Sequence, residues 1–222
     1  MSAERKPTIV LVHGAFAESA SWEHVIERCQ TERQQFEPGF RPSLMGPHSL
    51  PVLAAANPLR SIAGDAAYVR DVIDRVGAPV VLVGHSYGGI VITEAAAGNE
   101  SVVGLVYVNA FAPDQGESAF GLAAKFPGGS GDAFAAHPIA TGGVEFTIRQ
   151  DLFSHTFAAD VPARRAAVMS ATQRPATEKA LSDGLPTDTP AWKTIPSWFV
   201  FGDRDQIIPA ALHRFMAERA GS

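Results

Sequence analysis

The residue of this chain best placed to do chemistry is a serine between two glycines. The segment 84–88, GHSYG, follows the apolar run 79–83 and precedes a stretch rich in small residues. A G-x-S-x-G pattern between a strand and a helix is typical of a nucleophile elbow, a strained turn that exposes the serine hydroxyl. Side chains at Gly84 and Gly88 would collide with the neighbouring strand and helix. The pattern therefore predicts that Ser86 is a nucleophile, although it also arises by chance in glycine-rich turns.

A second loop, His13-Gly14-Ala15, follows the earlier apolar run 8–12 and is expected to lie beside the elbow. Such a loop can donate a backbone N–H to a tetrahedral oxyanion, and the N–H after the nucleophile donates the second hydrogen bond. We therefore predict an oxyanion hole formed by Ala15 and Tyr87, with Phe16 as the alternative to Ala15. A simple turn at a strand end is the other interpretation.

Two carboxylates, Asp203 and Asp205, follow the last strongly apolar run at 197–201. In this architecture the acid follows the serine in chain order and comes after a strand. Asp205 is the preferred catalytic acid and Asp203 the alternative. Both could instead flank a turn and cap the helix that begins near Pro209.

The elements that would position these residues alternate between strand and helix. Apolar runs predict strands, and stretches with helical periodicity or small residues predict helices. The predicted strands are 8–12, 52–56, 79–83, 102–108 and 197–201, and the predicted helices are 19–29, 61–76, 88–97 and 209–220. This order predicts an α/β fold, a doubly wound and mostly parallel sheet in one domain over residues 1–222. The alternation of strands and helices is interrupted at about 112–195. Helical patches at 162–172 and 176–183 in this segment predict a helical lid insertion.

Charge, cysteine content and the lengths of apolar runs exclude several classes of protein. A net charge of −5 is too mild to favour a nucleic-acid surface, and the single cysteine, Cys29, excludes a disulfide framework or a Cys-rich metal site. The first seven residues lack the apolar core of a signal peptide, and no apolar run has the length of a membrane span. We expect a cytoplasmic protein whose partner is a small molecule.

Taken together, the segments 12–16, 84–89 and 202–209 resemble the α/β-hydrolase superfamily. The chain is most similar to small bacterial esterases related to the non-haem haloperoxidases (perhydrolases) and to plant methylesterase-like enzymes. The resemblance implies Ser86 as nucleophile, Asp205 as acid, an oxyanion hole at Ala15 and Tyr87, and no metal or organic cofactor. It implies hydrolysis of small carboxylic esters through an acyl-enzyme. Perhydrolase, haloperoxidase-like or hydroxynitrile lyase chemistry and a non-catalytic binder of small molecules are the alternatives.

One part of the family pattern has no match. The family's catalytic histidine lies beyond a further strand, but only residues 206–222 follow Asp205, and they contain a single histidine, His213. His213 falls inside the last predicted helix and is interpreted as a surface residue. We therefore expect a C-terminally truncated hydrolase that lacks the last strand, the last helix and the base. The stretch 30–51 shows no sustained helical or strand pattern. We therefore also consider the hypothesis that the sequence is a fragmentary or partly frameshifted reading of a normal gene.

Overall fold

A parallel sheet of five strands forms the centre of the molecule. The structure, a computed structural model, describes residues 6–31, 50–129 and 131–222. Its strands are β1 (Thr8–Val12), β2 (Val52–Ala55), β3 (Val80–Ser86), β4 (Val102–Ala110) and β8 (Ser197–Val200). They lie in the order β2-β1-β3-β4-β8, and each adjacent pair is parallel. Because all the strands point the same way, the loops after β1, β3 and β8 meet at one edge of the sheet.

Helices alternate with these strands, as predicted. They are α1 (Glu23–Thr31), α2 (Ile62–Val76), α3 (Gly88–Ala96) and α8 (Ala210–Arg219). The predicted helix 19–29 begins as a 3-10 turn over Ser19–Trp22 before α1. The Ser61 side chain caps α2 by accepting the Gly64 N–H, and Gly77 ends this helix with φ of 59°. Most of the irregular stretch 30–51 lies outside the described residues.

The insertion between β4 and β8 differs from the helical lid that the sequence predicts. It contains the short helices α4 (Ala119–Lys125), α5 (Gln150–Thr156), α6 (Ala163–Ala171) and α7 (Glu178–Ser182). It also contains an antiparallel sheet of β5 (Phe134–Pro138), β6 (Val144–Ile148) and β7 (Ala176–Thr177). The helices α6 and α7 lie within the predicted helical patches 162–172 and 176–183, and the small sheet is an addition that the sequence pattern did not predict. Gly142 and Gly143, with φ of 94° and 91°, lie in the turn between β5 and β6.

The hydrophobic core lies between the sheet and its helices and continues under the lid. Val10, Leu82 and Leu105 on the strands are fully buried, as are Ile73 and Ile90 on the flanking helices. The inner strands β1 and β3 have no exposed residue, which explains the continuous apolar runs from which they were predicted. The edge strand β8 instead exposes Trp198 and Val200. None of the helices in the described part of the chain is long and apolar enough to cross a bilayer.

Candidate active site

Ser86 lies at the end of β3 in a strained turn. Its φ is 52°, a left-handed conformation that is unfavourable for a residue with a side chain. A Cβ at Gly84 would lie 2.7 Å from the Gly88 carbonyl oxygen, and one at Gly88 would overlap the Val12 carbonyl oxygen. The two glycines therefore let β3, α3 and β1 approach closely, as the sequence predicts. The helix α3 begins just after Ser86, so its positive end faces the serine.

The loop after β1 packs directly against the elbow. A Cβ at Gly14 would lie 2.6 Å from the Ser86 Cβ, which shows how closely the two loops approach. Ala15 and Tyr87 line the same cavity as Ser86. Within the described residues, no protein acceptor takes the N–H of Ala15 or of Tyr87. The Phe16 N–H, the alternative donor, is already bonded to the Arg174 carbonyl oxygen at 3.2 Å. The geometry thus favours Ala15 over Phe16.

The Tyr87 side chain is anchored to a carboxylate that the sequence analysis did not identify. Its hydroxyl donates to Asp65 Oδ2 at 2.9 Å, and both residues are fully buried. The Arg60 N–H donates to both carboxylate oxygens of Asp65, at 3.1 and 3.2 Å. Burial raises the pKa of Asp65, and these hydrogen bonds offset the increase only in part. A polar residue on the buried stripe of a predicted helix was the signal that could have revealed it.

Asp205 lies at the same edge of the sheet, in the loop after β8. Its Oδ1 accepts the N–H groups of Ile207 and Ile208, each at 2.9 Å. Its Oδ2 accepts from Asn109 Nδ2 at 2.9 Å and from His213 Nε2 at 3.2 Å. Burial alone would raise the pKa of Asp205, but the hydrogen bonds from His213, Ile208 and Ile207 outweigh it and lower the pKa. Asp205 is therefore held as a carboxylate, whereas Asp203 is exposed.

His213 is not the surface residue that the sequence analysis expected. It is only 1% exposed, and its ring stacks on Phe201 with centroids 5.0 Å apart. Along with His213, α8 buries Leu212, Met216 and Ala217, so one face of the helix packs inward. Helical periodicity alone does not predict this burial, because it depends on Asp205, a partner in the preceding loop. Asn109 was also missed, although it follows the buried part of β4 at the edge that carries Ser86.

The histidines of the elbow region and of the lid differ in burial and in hydrogen bonding. Burial lowers the pKa of His85 to about 4 and also lowers the pKa of His13, whose Nδ1–H donates to the Gly14 carbonyl. His155 is exposed and lies on the lid helix α5. His137 bonds to Thr147 within the lid. Among the described residues, no group of three or more His, Cys, Asp or Glu side chains could hold a metal ion.

Two cavities meet at Ser86. The first, of about 400 Å³, is lined by apolar side chains of the lid and by Ala15 and Tyr87; we call it the apolar cavity. The second, of about 500 Å³, contains Asp205 and Asn109; we call it the polar cavity. Both volumes are typical of sites for small molecules. The Ser86 side chain thus lies where the two cavities meet. The Ala15 and Tyr87 N–H groups, which have no acceptor among the described residues, lie on one side of it, and the Asp205 carboxylate lies on the other.

Comparison with known proteins agrees with this architecture. A sequence model described as the alpha/beta hydrolase family matches residues 9–222. "Alpha/beta hydrolase nvfD" of Aspergillus novofumigatus (strain IBT 16806) is 32% identical over 128 residues, which is 52% of this chain and 48% of that protein. "Carbendazim hydrolyzing esterase" of Nocardioides sp. (strain SG-4G) is 43% identical over 63 residues, 26% of either chain. The matches thus span about half and about a quarter of these two relatives.

A solved structure is similar over a larger share of its length. The crystal structure of polyneuridine aldehyde esterase superposes with a TM-score of 0.74 at 15% identity, covering 98% of this chain and 88% of that one. At this level of identity the similarity establishes the fold alone.

Proposed function

The chain belongs to the α/β-hydrolase family, and from that premise we propose that it is a serine hydrolase that cleaves small carboxylic esters through an acyl-enzyme on Ser86. One observation carries the proposal. Ser86 is held in a left-handed turn at the start of a helix, beside two N–H groups, of Ala15 and Tyr87, that donate to no acceptor among the described residues. Strain of this kind is concentrated at functional sites.

The chemistry follows from these positions. Ser86 Oγ attacks the ester carbonyl, and the Ala15 and Tyr87 N–H groups bind the oxygen as it becomes negatively charged. An imidazole takes the serine proton and returns it to the leaving alkoxide, and water then hydrolyses the acyl-enzyme. Asp205 would orient that imidazole and stabilise its charged form.

In this proposal the imidazole comes from none of the described histidines. His213 approaches Asp205 from the buried side and lines neither cavity that contains Ser86. His13 and His85 are held in the elbow region with lowered pKa values. His155 lines the polar cavity, but it lies exposed on a lid helix with no hydrogen bond to Asp205. An incoming imidazole would have to share or replace a donor on Asp205 Oδ2.

Chemical rescue tests this proposal directly. The full chain would be assayed with p-nitrophenyl butyrate, with and without free imidazole, and labelled with a fluorophosphonate probe. We expect imidazole to raise turnover at least tenfold, probe labelling at Ser86, and loss of both in Ser86→Ala. Turnover that needs no imidazole and disappears in His155→Ala would instead identify His155 as the base. Free imidazole hydrolyses p-nitrophenyl esters without a protein, so the rate with imidazole alone is subtracted from every measurement. Rescue above that rate in Ser86→Ala would refute the nucleophile.

A second candidate function, a non-catalytic receptor for small molecules, has one observation in its favour. An ionised carboxylate offers about four acceptor positions, and Asp205 has four donors: Ile207, Ile208, Asn109 and His213. A carboxylate satisfied in this way has a structural role that requires no catalytic imidazole. Ligand binding by the full chain without probe labelling at Ser86, even in the presence of imidazole, would favour the receptor.

A further inference from the structure

The two cavities at Ser86 differ in chemistry. Among the described residues that line the apolar cavity, only Ser86 and Tyr87 carry a hydroxyl, and that of Tyr87 is bonded to Asp65. Aromatic rings form much of its wall, and two of them, Phe16 and Phe134, lie 5.4 Å apart between centroids. The other phenylalanines of this wall are Phe111, Phe120 and Phe126. Such a space favours an apolar group of aromatic size.

The polar cavity has a charged wall. Asp160, Asp203 and Asp205 contribute three carboxylates, and Arg204 contributes one guanidinium. The balance of these charges disfavours an anion and tolerates a neutral or cationic group. Both Asp160 and Asp203 are exposed, so this cavity stays hydrated and suits groups that keep their water.

The catalytic groups divide between the two cavities in a way that orients an ester. The oxyanion donors Ala15 and Tyr87 line the apolar cavity only, and Asp205 lines the polar cavity only. As Ser86 Oγ bonds to the carbonyl carbon, the bond from that carbon to the alcohol oxygen breaks. The alcohol oxygen then takes a proton from the imidazolium held beside Asp205. The alcohol must therefore leave on the Asp205 side, which directs the acyl group into the apolar cavity.

We propose that the substrates are esters of an apolar carboxylic acid of aromatic size with a small polar alcohol that carries no negative charge. The acyl group occupies the apolar cavity and the alcohol the polar cavity. This inference rests on the proposed function, because it takes Ser86 as the nucleophile.

A pair of isomeric esters tests the orientation. 2-Hydroxyethyl 2-naphthylacetate has the proposed arrangement, and 2-naphthylmethyl 3-hydroxypropanoate has the same atoms with the ester reversed. Both leaving groups are primary alcohols, so their intrinsic reactivities are similar. We expect kcat/KM of the full chain, measured with imidazole present, to be at least tenfold higher for the first isomer. A ratio of one, or a preference for the reversed isomer, would overturn the proposal.

Ligand binding to the Ser86→Ala variant tests the cavity assignment without requiring turnover. Ala123 lines the apolar cavity and Ala159 the polar cavity, so tryptophan at each position gives a matched pair. In the Ser86→Ala background, Ala123→Trp should weaken binding of methyl 2-naphthylacetate at least tenfold, and Ala159→Trp less than twofold. Ala123→Leu is the milder insertion if the tryptophan variant fails to fold. Equal effects of Ala123 and Ala159 variants would refute the cavity assignment.

The two arms separate the possible failures. Binding with this pattern, but without acylation of Ser86 in the unmutated chain, would contradict the proposed function and leave the apolar cavity assigned. Turnover without the isomer preference would contradict the substrate class and leave the hydrolase assignment intact. Carboxymethyl 2-naphthylacetate, whose alcohol carries a carboxylate, should have a kcat/KM at least fivefold below that of the hydroxyethyl ester. An equal value would refute the exclusion of anionic alcohols.

Discussion

Removal of one hydroxyl, in Tyr87→Phe, tests whether the elbow is anchored from below by a buried carboxylate. The variant keeps the ring and the backbone N–H of Tyr87 and deletes the donor that lies 2.9 Å from Asp65 Oδ2. Asp65 would then keep the Arg60 N–H as its donor. Because Asp65 is fully buried, water cannot readily replace the lost hydroxyl.

The chain supplies a matched control for this variant. Tyr107 is also buried, at 1% exposure, and its hydroxyl lies 2.8 Å from the Thr93 hydroxyl, a neutral partner. A hydrogen bond to a charged group contributes about 1.5–3 kcal/mol and a neutral one about 0.5–1.5 kcal/mol. We therefore expect Tyr87→Phe to lower the free energy of unfolding by about 2 kcal/mol at pH 7, and Tyr107→Phe by about 1 kcal/mol.

The two variants should also differ in their dependence on pH. Burial raises the pKa of Asp65 above its ordinary value of 3.8, and the Tyr87 hydroxyl opposes that increase. The folded chain thus holds the Asp65 proton more tightly than the unfolded chain, and this contribution to stability falls as pH rises between the two pKa values. Loss of the hydroxyl raises the folded pKa further. The cost of Tyr87→Phe should therefore be close to that of Tyr107→Phe near pH 4 and grow to a plateau as pH rises, whereas that of Tyr107→Phe should stay constant.

Urea unfolding of both variants and of the unmutated chain, at several pH values from 4 to 8, measures these differences. Fluorophosphonate labelling at pH 7 reports in parallel whether the Tyr87 N–H has moved relative to Ser86. Equal and pH-independent costs of the two substitutions would refute the argument that Asp65 is a charged anchor of the elbow.

Two further predictions concern stability. Burial alone would raise the pKa of Glu117, but hydrogen bonds from Arg219, the Asp114 N–H and Lys125 lower it to about 2. This stabilisation is present above the ordinary value of 4.5 and is lost as pH falls towards 2. Glu117→Gln should therefore cost about 2–3 kcal/mol in urea at pH 7 and about half of that at pH 3, and an equal cost at both pH values would contradict the argument. Gly88→Ala forces a methyl group onto the Val12 carbonyl and should remove more than 3 kcal/mol of stability or prevent folding, by the size of other severe steric changes. Gly131→Ala, with nothing within 4 Å, should stay within about 0.5 kcal/mol, and similar melting temperatures for the two would show that the elbow can relax.

The sheet and the elbow were predictable because their signals are local. A buried parallel strand appears in the sequence as a run of apolar residues. Glycine is needed at positions 84 and 88 because β3, α3 and β1 approach too closely there for a Cβ. The small sheet of the lid was not predictable in the same way, because β7 is two residues long and exists only by pairing with β6. Its residues continue directly into α7, so they were assigned to a helix.

The burial of His213 could not be predicted from its local sequence. Helical periodicity places it on α8, but its burial depends on Asp205 Oδ2 and on the ring of Phe201, both in the segment before that helix. The hydrogen bond between His213 and Asp205 also indicates a structural role for Asp205. The family resemblance assigns this carboxylate to a catalytic imidazole, whereas here the loop, β4 and α8 all donate to it. Asp205 therefore ties three elements together at the edge of the sheet, so substitutions there will affect stability as well as turnover. Activity lost in an Asp205 variant counts as evidence for catalysis only if its unfolding free energy is measured beside it.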